Sequence, residues 1–246
     1  MATIIIDDKK SPERLKLTEH YDVLTTSYGK MIVNTHDPCL ETNLGENEKE
    51  IEGLLQFAHG TILDIGANVG SHAINFARQA DIVYAFEPHP HTYWNLCGNI
   101  LINSAYNVTP LQCALGSRDG STTVWNIDPH RKNTAMGLEV DKPLGHDIPV
   151  PMQKIDSLGL ENIYFIKIDV EGHEVEVLKG GRETFMSQSP IVFCEMHRPE
   201  LRDAGIALMS ELGYLHHEFI RTEYGQGTTW GYIFWKEGRI VWAVQP

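Results

Sequence analysis

The stretch Thr61–Gly70, TILDIGANVG, constrains this chain most. Ile62, Leu63 and Ile65 form a short apolar run that stops at a glycine, the pattern of a buried parallel strand feeding a tight turn. Gly66 and Gly70 let the backbone approach a ligand closely. The spacing predicts a helix over 70–79, whose first N–H groups face an anion. The next apolar run, DIVYAFEP, ends in Glu87, with Pro88 shaping the turn behind it. A carboxylate at the tip of the second strand suits the two hydroxyls of a ribose.

The turn is not a dinucleotide fingerprint. GANVGS places Asn68 and Ser71 where G-x-G-x-x-G requires glycine. Asp64, just before the turn, sets a negative charge where a pyrophosphate would be repelled. That charge suits a cationic ligand which still carries a ribose and a carboxylate. S-adenosylmethionine has all of these parts.

The series LDIGANVG, AFEPHP, CALGSRDG and FIKIDVEGHEVEVLKG closely resembles the FkbM-type methyltransferases, over about residues 45–213. LDIGANVG alone marks only the broad class I methyltransferase fold, whereas KIDVEGHE with the LKGG downstream is specific to the family. The resemblance implies an α/β, Rossmann-like fold with a seven-stranded, mostly parallel sheet in the order 3-2-1-4-5-7-6. It also implies S-adenosylmethionine as cofactor and O-methylation as the main chemistry.

Composition agrees with a full core and sets limits on partners. The chain has 246 residues, 42% of them hydrophobic, and no run long enough to span a membrane. MATIIIDDKK turns charged too soon for a secretory signal. Cys39, Cys97, Cys113 and Cys194 are far apart and read as free thiols, so a cytoplasmic protein is expected. The formal charge of −13, with no dense Lys/Arg cluster, disfavours nucleic acid as a partner. A small-molecule or glycan acceptor is expected instead, with the oligomeric state open.

Further along, strands and helices alternate, which implies a parallel sheet with helices on both faces. Strands are expected at 81–86, 108–115, 122–127, 163–168, 190–195 and 215–220, and helices at 91–102, 174–180 and 199–212. Asp128–Pro151, with its prolines and no clear period, reads as a long loop and a candidate lid. TTWGYIFWKEGRIVWAV reads as a terminal antiparallel hairpin turning at Glu237-Gly238. Residues 1–46 are expected to form an N-terminal cap of strand and helix or an extension, and 47–246 the class I methyltransferase domain.

Ligands in such sheets bind beyond the carboxyl ends of the strands. There the chain offers Asp64, Gly66, Asn68 and Gly70 after the first strand, and Glu87 and Pro88 after the second. Ala114 and Leu115 follow as an apolar pair to flank adenine. Asp169 and Glu171 follow the fourth strand, and Glu195 and His197 the fifth. An alcohol acceptor needs a base to take its proton, or a metal to lower its pKa. The candidates for the base are Asp169 and His197, with Glu195 orienting the base or binding substrate. Asp169 is also expected among the cofactor contacts. The bland alternatives are helix capping for Asp169 and a surface imidazole for His197. The carboxylates and histidines also suit Mg²⁺ or Mn²⁺, so a divalent ion stays open. Transfer to an amine or a nucleic acid, or a cofactor-binding module without catalysis, are the competing readings.

Overall fold

A computed structural model describes residues 14–26, 29–34, 51–124, 147–196, 198–224 and 227–238, and only the backbone at 220–224 and 227–230. The central sheet is built from β4 (Thr61–Ile65), β5 (Ile82–Phe86), β6 (Val108–Leu111), β10 (Ile163–Ile168), β11 (Ile191–Glu195), β12 (His216–Tyr224) and β13 (Gly227–Trp235). Its order is β12-β13-β11-β10-β4-β5-β6. Numbered by sequence within the sheet, this is 3-2-1-4-5-7-6 read from the β6 edge. The five strands from β6 to β11 are parallel, and β13 runs antiparallel to both β11 and β12. Strand β11 is buried along its whole length, as a strand covered on both faces must be.

Helices α1 (residues 51–55), α2 (Ser71–Phe76) and α3 (Pro90–Ile102) contribute to one apolar core, together with Ile62, Phe165 and Phe193 of the sheet. Helices α4 (Glu174–Lys179) and α6 (Pro199–Glu211) contribute to the other, with Leu63, Ile166, Val192 and Cys194. Phe185 of α5 (Arg182–Ser187) joins that second core. Alternation along each strand divides the side chains between the two cores.

Two smaller sheets flank the large one. Strands β1 (Arg14–Lys16), β2 (Tyr21–Thr26) and β3 (Gly29–Asn34) form an antiparallel meander. Its free edge docks on α3 through two asparagines. Asn103 accepts from the Lys30 N–H at 2.9 Å and donates to the Lys30 carbonyl at 2.6 Å. Asn99 accepts from the Ile32 N–H at 2.7 Å and donates to the Val69 carbonyl at 2.9 Å. Four residues apart on one helix face, the two amides satisfy backbone groups that a further strand would otherwise pair. The third sheet has the order β7-β9-β8, with β7 (Ala114–Leu115), β8 (Gly120–Val124) and β9 (Ile148–Gln153).

The structure corrects several expectations. The strand expected at 108–115 breaks into β6 and β7, because the Cys113 N–H folds back onto the Leu111 carbonyl at 3.1 Å and redirects the chain. The expected loop 128–151 ends early, since residues 148–151 belong to β9. Val150 and Met152 alternate inward there, while β7 reaches only Met152 and Gln153. Pro149 and Pro151 therefore have a strand on one side only, where a missing N–H is tolerated. Residues 125–146 lie outside the described residues. Helix α2 is shorter than expected, ending at Phe76. Strands β12 and β13 pair as an antiparallel hairpin, and the second arm of the hairpin expected at Glu237-Gly238 lies outside the described residues.

Candidate active site

The turn after β4 is held from three sides. The N–H groups of Gly66 and Ala67 donate to the Phe86 carbonyl at 3.0 and 2.9 Å, which pins the turn to the end of β5. Gly66 has φ 80°, and a Cβ there would lie 1.8 Å from the Asp169 carbonyl oxygen, so only glycine fits between β4 and the exit of β10. Gly70 has φ 93°, and a Cβ there would meet Leu96 of α3 at 2.6 Å. Between them Asn68 adopts φ 49°, a left-handed conformation that asparagine tolerates better than most residues.

Glu87 stabilises that conformation. Its Oε2 accepts from the Asn68 N–H at 3.0 Å, and its Oε1 accepts from the His89 N–H at 2.8 Å. The carboxyl is buried, and burial pushes its pKa up to about 7. The two N–H donors oppose that shift, and the charges of Asp64 and Asp169 add to it. Glu87 thus stands at the tip of β5 as expected, but under the turn, with both oxygens holding backbone.

A cleft of about 320 Å³ opens beside the turn, a size within the usual range for small-molecule sites. Gly66, Pro88, Ala114 and Leu115 line it, as do Ile65, Phe86, Cys113 and Val170. Thr122, Thr123 and Val124 of β8 and Glu171 and His173 of the loop after β10 complete its walls. Of the expected cofactor contacts, Asp64, Asn68, Gly70, Glu87 and Asp169 are not in the lining: Asn68 and Gly70 belong to the turn beside it, Glu87 bonds that turn, Asp64 precedes it and Asp169 packs on Gly66. The threonines of β8 were not among the expected residues. Their strand was legible, but the fold of β8 and β9 across the cleft depends on long-range pairing. The thiol of Cys113 is pushed up to about 11 by burial, so it stays protonated and unreactive.

On the other face of the sheet the charged side chains converge. Lys167 of β10 is the register partner of Asp64 on β4. Both are fully buried, at 1% and 0% side-chain exposure. The Lys167 Nζ lies 3.7 Å from Asp64 Oδ1 and 3.2 Å from Asp169 Oδ2. Neither oxygen of Asp64 accepts a hydrogen bond from the described residues. Asp169 and Glu195 follow the paired residues Ile168 and Cys194, so they leave the ends of neighbouring strands side by side. Asp169 keeps 27% side-chain exposure and Glu195 is buried. His197 lies outside the described residues.

Lys167 was missed by sequence reasoning. The signal was a single cation inside an otherwise apolar strand, IYFIKI, in a chain whose first strand also carries one buried acid, LDI. Beyond β10, Glu171 (φ 53°) and Gly172 (φ 104°) turn the chain, and Glu174 Oε1 accepts from the Gly172 N–H at 2.7 Å. The acids of VEGHE therefore divide between lining the cleft and tying its loop. Among the described residues, no three His, Cys, Asp or Glu side chains are grouped to hold a metal ion, and no helix is long and apolar enough to cross a membrane.

Comparison with known proteins places this geometry. A family profile described as "Methyltransferase FkbM domain" matches residues 64–224. Among characterised relatives, the hexuronic acid methyltransferase AglP of Haloferax volcanii is 30% identical over 139 residues, 54% of each chain. Methyltransferase sdnD of Sordaria araneosa is 32% identical over 62% of this chain and 73% of its own. The 2-O-methyltransferase NoeI of Sinorhizobium fredii is 27% identical over 68% of this chain and 75% of its own. The match covers little more than half the length of some relatives, 54% for AglP and 57% for a Beauveria bassiana methyltransferase. Among solved structures, methyltransferase FkbM from Methylobacillus flagellatus superposes with a TM-score of 0.55 at 19% identity, over 72% of this chain and 44% of that one. TYW2 of M. jannaschii, solved with AdoMet, superposes at 0.51 with 14% identity, over 90% of this chain and 89% of that one.

Proposed function

Because this chain belongs to the FkbM methyltransferase family, we propose that it is an S-adenosylmethionine-dependent O-methyltransferase acting on a hydroxyl of a sugar, glycan or small metabolite. The observation that carries the cofactor assignment is the Gly66 turn, which only glycine can form against Asp169 and which opens into the adjoining cleft. The residues present fit that group. Asp64 and Asp169 share the one Lys167 ammonium, so the formal charge of that group stays negative behind the turn and favours a cation. Ala114 and Leu115 offer apolar walls for a base. Glu87 is assigned the ribose hydroxyls, and it also holds the turn through Asn68.

When bound, S-adenosylmethionine supplies a methyl carbon: the acceptor oxygen gains the C–O bond, and the C–S bond breaks with its electron pair left on sulfur. The chain's task is to align the acceptor, exclude water and remove the hydroxyl proton. We assign the proton to Asp169, the part-exposed carboxylate at the end of β10, and the orientation of the acceptor to Glu195. The hexuronic acid in the name of AglP and the 2-O-methylation in the name of NoeI support a hydroxyl acceptor, and the net charge of −13 supports one that is not a polyanion. We assign residues 1–46 to a cap over the methyltransferase domain, of which β3 is the part seated on α3.

The test is calorimetric titration with S-adenosylmethionine, followed by detection of S-adenosylhomocysteine across a panel of hexuronates, neutral sugars and polyols. Binding followed by product on a hydroxyl acceptor is expected. Failure to bind the cofactor overturns the reading. Binding without product on any acceptor overturns the assigned chemistry and leaves only a cofactor-binding module.

A further inference from the structure

We propose that Lys167 is a positioning residue for proton removal: its buried ammonium keeps the Asp169 carboxylate ionised and aimed at the acceptor. This rests on the assignment of the proton to Asp169. The geometry is a short relay of charges on one face of the sheet. Lys167 lies 3.2 Å from Asp169 Oδ2 and 3.7 Å from Asp64 Oδ1, with almost no exposure to water.

The case rests on crowding. Asp169 is surrounded by Asp64 from β4, Glu87 from the tip of β5, and Cys194 and Glu195 from β11. Glu174 of α4 faces Cys194, Arg198 covers Gly172, and His72 is the buried imidazole of α2. Acids gathered in a poorly solvated site suppress one another's ionisation, and a carboxylate that stays protonated cannot accept a proton. One ammonium between two of them removes that obstacle.

A purely structural role explains the arrangement less well. Burying an ammonium carries a desolvation penalty large enough that an apolar replacement is often neutral or stabilising. Strand β10 is otherwise apolar, so a hydrophobic side chain at 167 would suit packing alone. The flexible four-carbon stem delivers a point charge between the two acids without the planar fork of arginine. In the step itself, the acceptor O–H bond breaks and its proton passes to Asp169, while Lys167 keeps its own protons.

The experiment is the pH dependence of kcat at saturating cofactor and acceptor, read from S-adenosylhomocysteine formation. Lys167→Met is expected to move the acid limb upward by about one unit, which lowers kcat about tenfold at pH values below the wild-type limb and leaves the plateau above it unchanged. Lys167→Arg should restore the limb. Asp64→Asn should move it downward, because a like charge beside Asp169 is removed and a competitor for the ammonium is lost. This second variant reads the same coupling with the opposite sign should Lys167→Met not fold. An acid limb that stays in place in folded Lys167→Met, or in Asp64→Asn, overturns the inference. Asp169→Asn separates it from its premise. If that variant keeps full turnover, the base assignment fails and this inference with it. If it loses turnover while the limb of the other variants is unmoved, only the role of Lys167 fails.

Discussion

Gly66 and Asp169 touch through their backbones: the space a side chain would need at Gly66 is filled by the Asp169 carbonyl oxygen, 1.8 Å from an ideal Cβ. The turn proposed to hold the cofactor and the residue proposed to take the proton are therefore one rigid unit. Shifting either moves the other.

Gly66→Ala tests that unit. Alanine brings both the collision and a disfavoured φ of 80°. We expect a loss of about 1–3 kcal/mol in stability and a drop of at least about tenfold in S-adenosylhomocysteine affinity. Denaturant unfolding and calorimetric titration measure the two effects.

Glu87 should make stability fall with rising pH. Its folded pKa of about 7 lies above the ordinary value of 4.5, so the folded state holds a proton that the unfolded chain has released. Stability from this group is complete below about pH 4.5, falls as pH rises towards 7, and levels off beyond. The full span is on the order of 3 kcal/mol. Glu87→Gln should flatten that slope. Urea unfolding of both proteins at pH 5, 6, 7 and 8 is the check, and equal slopes would refute the assignment.

Asn99 couples the small N-terminal sheet to the cofactor turn, since one amide serves both the Ile32 N–H and the Val69 carbonyl. Asn99→Ala leaves both without that partner in a buried setting, at a cost of about 2–4 kcal/mol. Faster hydrogen exchange at Ile32 together with weaker cofactor binding is the expected pair of effects. Asn99→Asp removes only the donor and should spare Ile32.

Asp156 caps α5 from a distance, accepting from the Thr184 N–H at 2.8 Å and the Glu183 N–H at 3.1 Å. Asp156→Ala should cost about 1 kcal/mol of stability. It should leave kcat unchanged, because α5 contributes no residue to the cleft. Thermal melting and turnover assays on one preparation check both halves.

Much of the fold was legible because its signals are local. The expected strand 163–168 coincides with β10, and the helices expected at 91–102 and 199–212 match α3 and α6 to within a residue. Each starts from apolar periodicity or from a proline in the first turn. Helix α5 escaped notice because its N-terminus is capped by Asp156, 28 residues before Thr184, rather than by a neighbour. Strand β9 escaped because its prolines read as loop, and only the short reach of β7 makes them acceptable. Of the residues the sequence pointed to, Gly66, Pro88, Ala114 and Leu115 are brought to the cleft by the fold, whereas the pairing of Lys167 with Asp64 and the place of the β8 threonines were not legible.

By itself, the order of residues determined the strand–turn–helix at Thr61–Phe76, the acid at the tip of β5, and the alternation that makes a parallel sheet. Those features follow from steric limits and apolar periodicity within a few residues. The tertiary structure alone decided that Lys167 faces Asp64, that Asn99 bridges Ile32 and Val69, and that Glu87 lies beneath the turn. Charges and hydrogen bonds act through space, and only strand register and helix docking bring partners that are distant in sequence within reach.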